Sequence, residues 1–416
     1  MPKAGSQPTV AVFSGGGTGG HLYPALALAE GLSTLRPDLR PFFVGAHQGV
    51  EARILPERGV DHLLLPVRGF RRGRFLGNLA VIWALLRSLV ITGQLFSRLR
   101  PVVVVVTGGY ASGPAGLVAG IMGIPLALQE QNARPGFTSR VLSRWSRQVH
   151  LAFPEARDLL PARVRPRARL SGNPVREVVP IDASEAMVRF GLVPGSRVIL
   201  VVGGSQGAEA LNRAILDVIR GVADGDLERP KDVNLLWATG PKNLEEVQRQ
   251  LEVLGQPEWV HVLGYIQKIP EALSSATLAV SRAGAMTTSE FLAWGVPAVL
   301  VPLPTAAADH QSLNAESLAG AGSAIHLPET KLTGATLWKA VTSLLSTPGA
   351  LPAMKEAALK AGRPNATREI AEALECLLPR PVPGPGPGSV PGPGPGLVPG
   401  PGPGLVPGSG PKEMAS

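Results

Sequence analysis

The sequence predicts an α/β protein built from two Rossmann-like domains whose parallel sheets face a common cleft. Short continuous runs of Val, Ile and Leu alternate with stretches of helical periodicity, and such runs mark parallel strands covered on both faces. The succession strand, glycine-rich loop, helix begins twice, over residues 10–35 and again over 198–222. At 416 residues the chain can bury two cores of ordinary size.

In chain order, strands are expected at 9–13, 41–44, 102–106, 126–128, 198–202, 234–238, 278–280 and 298–301, each apolar and bounded by turn residues. Helices are expected at 24–35, with Pro24 in the first turn, at 208–222 and at 244–254. Gly172-Asn173-Pro174 and Pro180 punctuate the chain and place a boundary there. The first domain then spans 1–173 and the second 174–366, with a closing helix at 367–378. From 379 to 416 the chain repeats Pro-Gly, has almost nothing to bury, and reads as a disordered tail.

Charge is distributed unevenly. The net charge is +9, and between Asp61 and Glu155 the only acid is Glu130, whereas Arg68, Arg71, Arg72, Arg74, Arg87, Arg98, Arg100, Arg134, Arg140, Arg144 and Arg147 all fall there. A one-sided basic surface suits nucleic acid, anionic lipid or a phosphorylated substrate. The arginines flank an apolar segment, 76–96, which disfavours nucleic acid; Arg87 and Gln94 interrupt it, which disfavours a clean membrane span. Two readings stay open: a half-buried core helix, or an apolar patch with an arginine rim resting on an anionic membrane surface. The lone cysteine, Cys376, excludes an internal disulfide. The N-terminal residues show no apolar segment followed by a cleavage site, so the chain is expected not to be secreted.

The first glycine loop, Gly15-Gly16-Gly17-Thr18-Gly19-Gly20, satisfies G-x-G-x-x-G. A dinucleotide site would also need an acid closing the second strand, which instead runs into Gly45-Ala46-His47. What remains is a set of backbone amides at a helix start, suited to an oxyanion or a sugar. His21 ends this loop; histidine titrates where a general base must, although a lone histidine is often structural. A second loop, Gly203-Gly204-Ser205-Gln206-Gly207, and a third, Thr107-Gly108-Gly109-Tyr110, also follow strands, so a long ligand would lie at the sheets' carboxyl edges. Ser205 could cap the next helix or donate to a phosphate. Glu290 stands one turn into the helix that follows Arg282-Ala283-Gly284, where a carboxylate can take two ribose hydroxyls or merely favour a helix start. Asp224-Gly225-Asp226 imitates a metal-binding D-x-D but lies in a turn, so no metal and no cofactor are expected.

The runs GGGTGGH, TGGYASGPA, QEQNARPG, SGNPVR, GGSQGA, SRAGAMTTSE and DHQSLNA, in this order over residues 9–375, resemble the bacterial peptidoglycan N-acetylglucosaminyltransferases, the MurG family. The resemblance implies a GT-B fold and inverting transfer of N-acetylglucosamine from UDP-N-acetylglucosamine to an undecaprenyl-diphospho-linked muramoyl-pentapeptide. It also implies a peripheral position on the inner face of the cell membrane, with other cell-wall synthesis proteins as further partners and no nucleic acid. Carried over residue by residue, it implies His21 as the base. It places Thr18, Gly19 and Gly20 in the sugar and acceptor loop, and Asn132 facing the sugar. Arg176 and Ser205 would attend the diphosphate and Ile266 the uracil. Ala285, Met286, Thr287, Thr288, Ser289 and Glu290 would form the nucleotide helix start, with Gln311 beside His310 on the donor sugar. The stretch 304–308 departs from the family in being less polar. Three alternatives remain at this point: a diacylglycerol glycosyltransferase, a UDP-N-acetylglucosamine 2-epimerase and a non-enzymatic nucleotide-binding module.

Overall fold

The computed structural model describes residues 9–69, 75–204 and 208–380, with 75–79 as backbone. Ser205, the arginines at 71, 72 and 74, and the Pro-Gly repeat from 381 onward lie outside these.

Among the described residues, thirteen strands form two fully parallel sheets. The first contains β1 Thr9–Ser14, β2 Leu39–Ala46, β3 His62–Leu65, β4 Val103–Val106, β5 Leu126–Glu130, β6 Gln148–Leu151 and β7 Ala168–Leu170, in spatial order β3-β2-β1-β4-β5-β6-β7. The second contains β8 Arg197–Val202, β9 Val233–Ala238, β10 Val260–Leu263, β11 Leu278–Ser281, β12 Ala298–Leu300 and β13 Ala324–His326, ordered β10-β9-β8-β11-β12-β13. In both sheets the order reverses beside the first strand. β1 pairs β2 on one side and β4 on the other, and β8 pairs β9 and β11. A crevice opens at each reversal, beyond the carboxyl ends of the strands.

Alternating side chains explain the unbroken apolar runs. Val10 and Val12 enter one core with Val104 and Val106, while Ala11 and Phe13 enter another with Val103 and Val105. Ile199 and Val201 pack with Trp237, and Val198 and Leu200 pack on the opposite face with Phe291. Each fully buried large side chain contributes roughly 2–3 kcal/mol.

Several expectations shift. The first helix runs Gly19–Leu35, so His21 sits in its opening turn and Pro24 lies inside it, not at its start. Between β7 and the helix Ala183–Arg189 the chain passes to the second sheet. It returns near residue 363, and the final helix, Ala366–Glu375, places Ile370, Ala371 and Leu374 in the first domain's core beside Leu28 and Leu32. The apolar segment is a single helix, Phe75–Leu99. Its stretch Ala80–Leu99 is long and apolar enough, by composition, to cross a bilayer. Val81 and Phe96 of this helix are nevertheless buried in the protein, and Ser88 and Thr92 turn their hydroxyls back onto the carbonyls of Ala84 and Ser88. The opposite face exposes Ile82, Trp83, Leu86 and Val90. The core-helix reading thus holds for one face, and the other face is apolar and exposed.

Candidate active site

The first glycine loop lies over a buried carboxylate. Glu51, fully buried on the helix Glu51–Glu57, accepts hydrogen bonds from the Gly17 amide at 3.0 and 3.1 Å and from the Ala46 amide at 3.0 Å. A methyl on Gly16 would stand 2.3 Å from this carboxylate, so the loop can close over it only as glycine. The acid missing from the end of β2 is thus present five residues after Ala46, and it binds the loop itself. A negative charge held under Gly17 disfavours a diphosphate there and leaves the loop to an uncharged sugar or hydroxyl group. Sequence reading missed Glu51, because nothing local distinguishes it from any acid in a helix's first turn.

The third loop presses onto the first. A methyl on Gly109, at φ +76°, would lie 2.1 Å from the Gly16 carbonyl oxygen. The Thr107 hydroxyl donates to the His21 carbonyl at 2.7 Å. The His21 ring lies between these loops: Nδ1 is 2.8 Å from Gln131 Oε1 and 3.1 Å from the Thr107 carbonyl, while Nε2 has no protein partner among the described residues. Thr18 caps this helix through its backbone alone, its side chain exposed beside Gly19 and Gly20.

Across the cleft, the second domain offers a cavity of about 480 Å³ lined by Gly203, Gly204, Arg282, Gly284, Thr287 and Gln311. Arg282, another residue sequence reading passed over, is buried. It donates to the Val301 and Pro302 carbonyls and pairs with Glu329 at 2.5 Å, though without a well-aligned hydrogen bond to that oxygen. Gln311 accepts from the Leu303 amide at 3.0 Å. Glu290 shares a narrow crevice with Arg176, Ile269, Pro270 and Trp294. Although part of its surface remains accessible, burial pushes its carboxyl up to about 7, against the smaller opposing pull of Arg176. Ile266 is buried beside exposed Tyr265.

Other expected residues have structural partners. Asn132 is nearly buried, donating to Glu130 Oε1 and accepting from Asn314. Asn314, from the helix His310–Gly320 of the second domain, also accepts from the Ala133 amide of the first. His310 Nδ1 lies 2.6 Å from the Ala307 carbonyl, and burial lowers its pKa. The less polar stretch ends in Ala308 and Asp309, both left-handed at φ +54° and +57°, a conformation worth about 1–2 kcal/mol of strain each in non-glycine residues. Ala285 and Thr288 are buried, and Met286, Thr287 and Ser289 half-buried, at the start of the helix Ala285–Trp294. Asp224 to Asp226 form a turn, as expected.

Family matches in both domains make this chain a glycosyltransferase. Residues 11–151 match the glycosyltransferase family 28 N-terminal domain, and residues 198–372 match its C-terminal domain. The chain is 39% identical over 363 residues to the UDP-N-acetylglucosamine--N-acetylmuramyl-(pentapeptide) pyrophosphoryl-undecaprenol N-acetylglucosamine transferase of Desulfitobacterium hafniense (strain Y51), covering 86% of this chain and 96% of that one. It is 36% identical to the enzyme of that name from Lactiplantibacillus plantarum, covering 88% and 99%. The crystal structure of Acinetobacter baumannii MurG superposes with a TM-score of 0.70 at 29% identity, over 89% of this chain and all of that one. The chain belongs to the MurG family of these transferases. A Neisseria meningitidis UDP-GlcNAc 2-epimerase, at 15% identity and a TM-score of 0.60, shares the fold alone.

Proposed function

We infer that this enzyme transfers N-acetylglucosamine from UDP-N-acetylglucosamine to undecaprenyl-diphospho-N-acetylmuramoyl-pentapeptide, completing the lipid-linked disaccharide of peptidoglycan. The observation that carries the chemistry is the state of His21: its Nδ1 is engaged by two acceptors and its Nε2 has no protein partner among the described residues. In that state Nε2 takes the proton of the acceptor hydroxyl as the oxygen attacks the anomeric carbon from the face opposite UDP, inverting it. The leaving diphosphate gains charge near the Gly203-Gly204 loop, the start of the helix Glu209–Ala223 and Arg176. Glu290 receives the ribose hydroxyls, Ile266 adjoins the uracil, and Gln311 meets the donor sugar. Thr18, Gly19 and Gly20 line the acceptor side, where the buried charge of Glu51 favours an uncharged group.

The enzyme works as a peripheral protein of the inner membrane face. Trp83 and Phe137, 74% and 76% exposed, lie with Leu86, Val90 and Ile121 on three packed helices, and Arg87, Arg140 and Arg144 are exposed among them. Aromatic and aliphatic side chains among arginines suit an anionic interface.

Transfer of radiolabelled N-acetylglucosamine from its UDP donor to purified lipid-linked muramoyl-pentapeptide tests the assignment. The expected result is a labelled lipid product that forms only when this acceptor is supplied. Label appearing on diacylglycerol, or donor epimerised without any transfer, would replace it. His21→Ala should lower kcat about 100-fold or more while leaving donor KM nearly unchanged.

A further inference from the structure

Three side-chain amides connect His21 to the nucleotide helix of the other domain, and backbone carbonyls fix the orientation of each. Asn173 lies within 3.3 Å of the carbonyl oxygens of Gln131 and Ala285, which only accept, so the atom facing them is Nδ2; it also donates to Ser289 Oγ at 2.8 Å. Asn173 Oδ1 must then accept, and it does so from Gln129 Nε2 at 2.9 Å, which faces the Gly172 carbonyl as well. Gln129 Oε1 is left to accept from Gln131 Nε2, which also donates to the Gln129 carbonyl at 3.1 Å. Gln131 Oε1 therefore has only acceptor capacity for His21 Nδ1, as does the Thr107 carbonyl on the same nitrogen. Gln129, Gln131 and Asn173 are each 2% exposed or less, so water has little access to exchange these partners.

We propose that Gln131, held by Gln129 and Asn173, is a positioning residue that fixes His21 as the Nδ1–H tautomer and so keeps Nε2 unprotonated for the acceptor hydroxyl. The relay ends on Ala285 and Ser289, next to Glu290, so the residues that would hold the donor and the base share one hydrogen-bonded frame. The wrong tautomer would present an N–H to the hydroxyl and could not take its proton. This proposal rests on His21 as the base, and the test separates the two ideas.

The full-length protein labelled with ¹⁵N-histidine has seven imidazoles, and His21→Ala identifies the resonances of residue 21 by their disappearance. At pH 8 to 9 the wild-type ring should show a protonated Nδ1 and a bare Nε2. Gln131→Met keeps the volume and removes the acceptor; kcat should fall by about tenfold or more, with donor KM within about twofold. Gln131→Glu restores an acceptor, so it should recover turnover relative to Met at high pH. Its carboxylate also favours the imidazolium, which moves the acid limb of the kcat profile to higher pH. A wild-type His21 found with its proton on Nε2 overturns the proposal without any variant. So does a folded Gln131→Met enzyme of unchanged kcat, or a Gln131→Glu enzyme whose acid limb does not move. If His21→Ala keeps near-normal turnover, the base assignment falls by itself, and the wild-type tautomer still decides whether the relay sets the ring.

Discussion

Glu290 carries a pH dependence of definite sign. Its folded pKa of about 7 lies above the ordinary 4.5 of a glutamate. Its contribution to stability is therefore fully present below 4.5 and lost as pH rises through 7. Glu290→Gln should raise the melting temperature of the ligand-free protein at pH 8 and change it little at pH 4.5, a difference of about 1–3 kcal/mol at the higher pH. Donor affinity should move the other way, because ribose hydroxyls donate best to the ionised carboxylate. Calorimetric Kd for the UDP donor should tighten from pH 6 to pH 8, and Glu290→Ala should weaken it by about 1–3 kcal/mol. A donor Kd that ignores both pH and this substitution removes Glu290 from the site. Glu51 makes a different prediction. Glu51→Ala leaves the Gly17 and Ala46 amides without their acceptor and opens a void under the loop, so urea unfolding should show about 3 kcal/mol of lost stability.

At the level of elements, the helix Phe75–Leu99 separates packing from docking. Replacing Trp83 and Leu86 with Ser should change stability by less than about 1 kcal/mol, since both are exposed. The same double variant should sediment less with anionic vesicles while binding UDP donor normally; equal sedimentation would leave the outer face without a role. The sequence announced the central strands well, because the stretches 10–13, 103–106, 126–128 and 198–202 are apolar throughout and covered on both faces, whereas the buried Gln129 and Glu130 that end β5 broke the apolar pattern. It was silent on β3, β6, β7, β10 and β13, whose three or four residues at or near sheet edges are too few to show a period. Pro24 misplaced the first helix start, since proline also fits inside a helix when one backbone bond is forgone. The glycine loops were legible as turns at strand ends because their signal is local. The partners of His21 were not: Thr107 lies 86 residues away and Gln131 lies 110 away, so only the folded chain brings them together.

At the level of the whole molecule, the first domain is not contiguous in sequence. A fragment ending at residue 173 lacks the helix Ala366–Glu375 and exposes the groove formed by Leu28 and Leu32. Such a fragment should aggregate, or fold only when a peptide spanning 363–378 is supplied, which circular dichroism would detect; a monomeric, cooperatively melting fragment would show that the final helix is dispensable.

The two places where the chain passes between domains also touch. Gly172, at φ +87°, lies so close to Arg363 that a methyl there would be 2.5 Å from its Cβ, and the Thr367 hydroxyl donates to the Val175 carbonyl at 2.8 Å. Two bodies joined at adjacent points can turn like a door on its post where the further bonds of Asn314 to Asn132 and Ala133 yield, while sliding and twisting strain both joints. Displacement then grows with the lever arm, greatest at the outer lips and least beside the post. Asn173 stands next to Gly172, at the post itself. A swing wide enough to admit a sugar nucleotide and a lipid would leave its contacts to Gln131 and Ser289 almost unmoved, so the base keeps its orientation while the cleft opens and shuts around it.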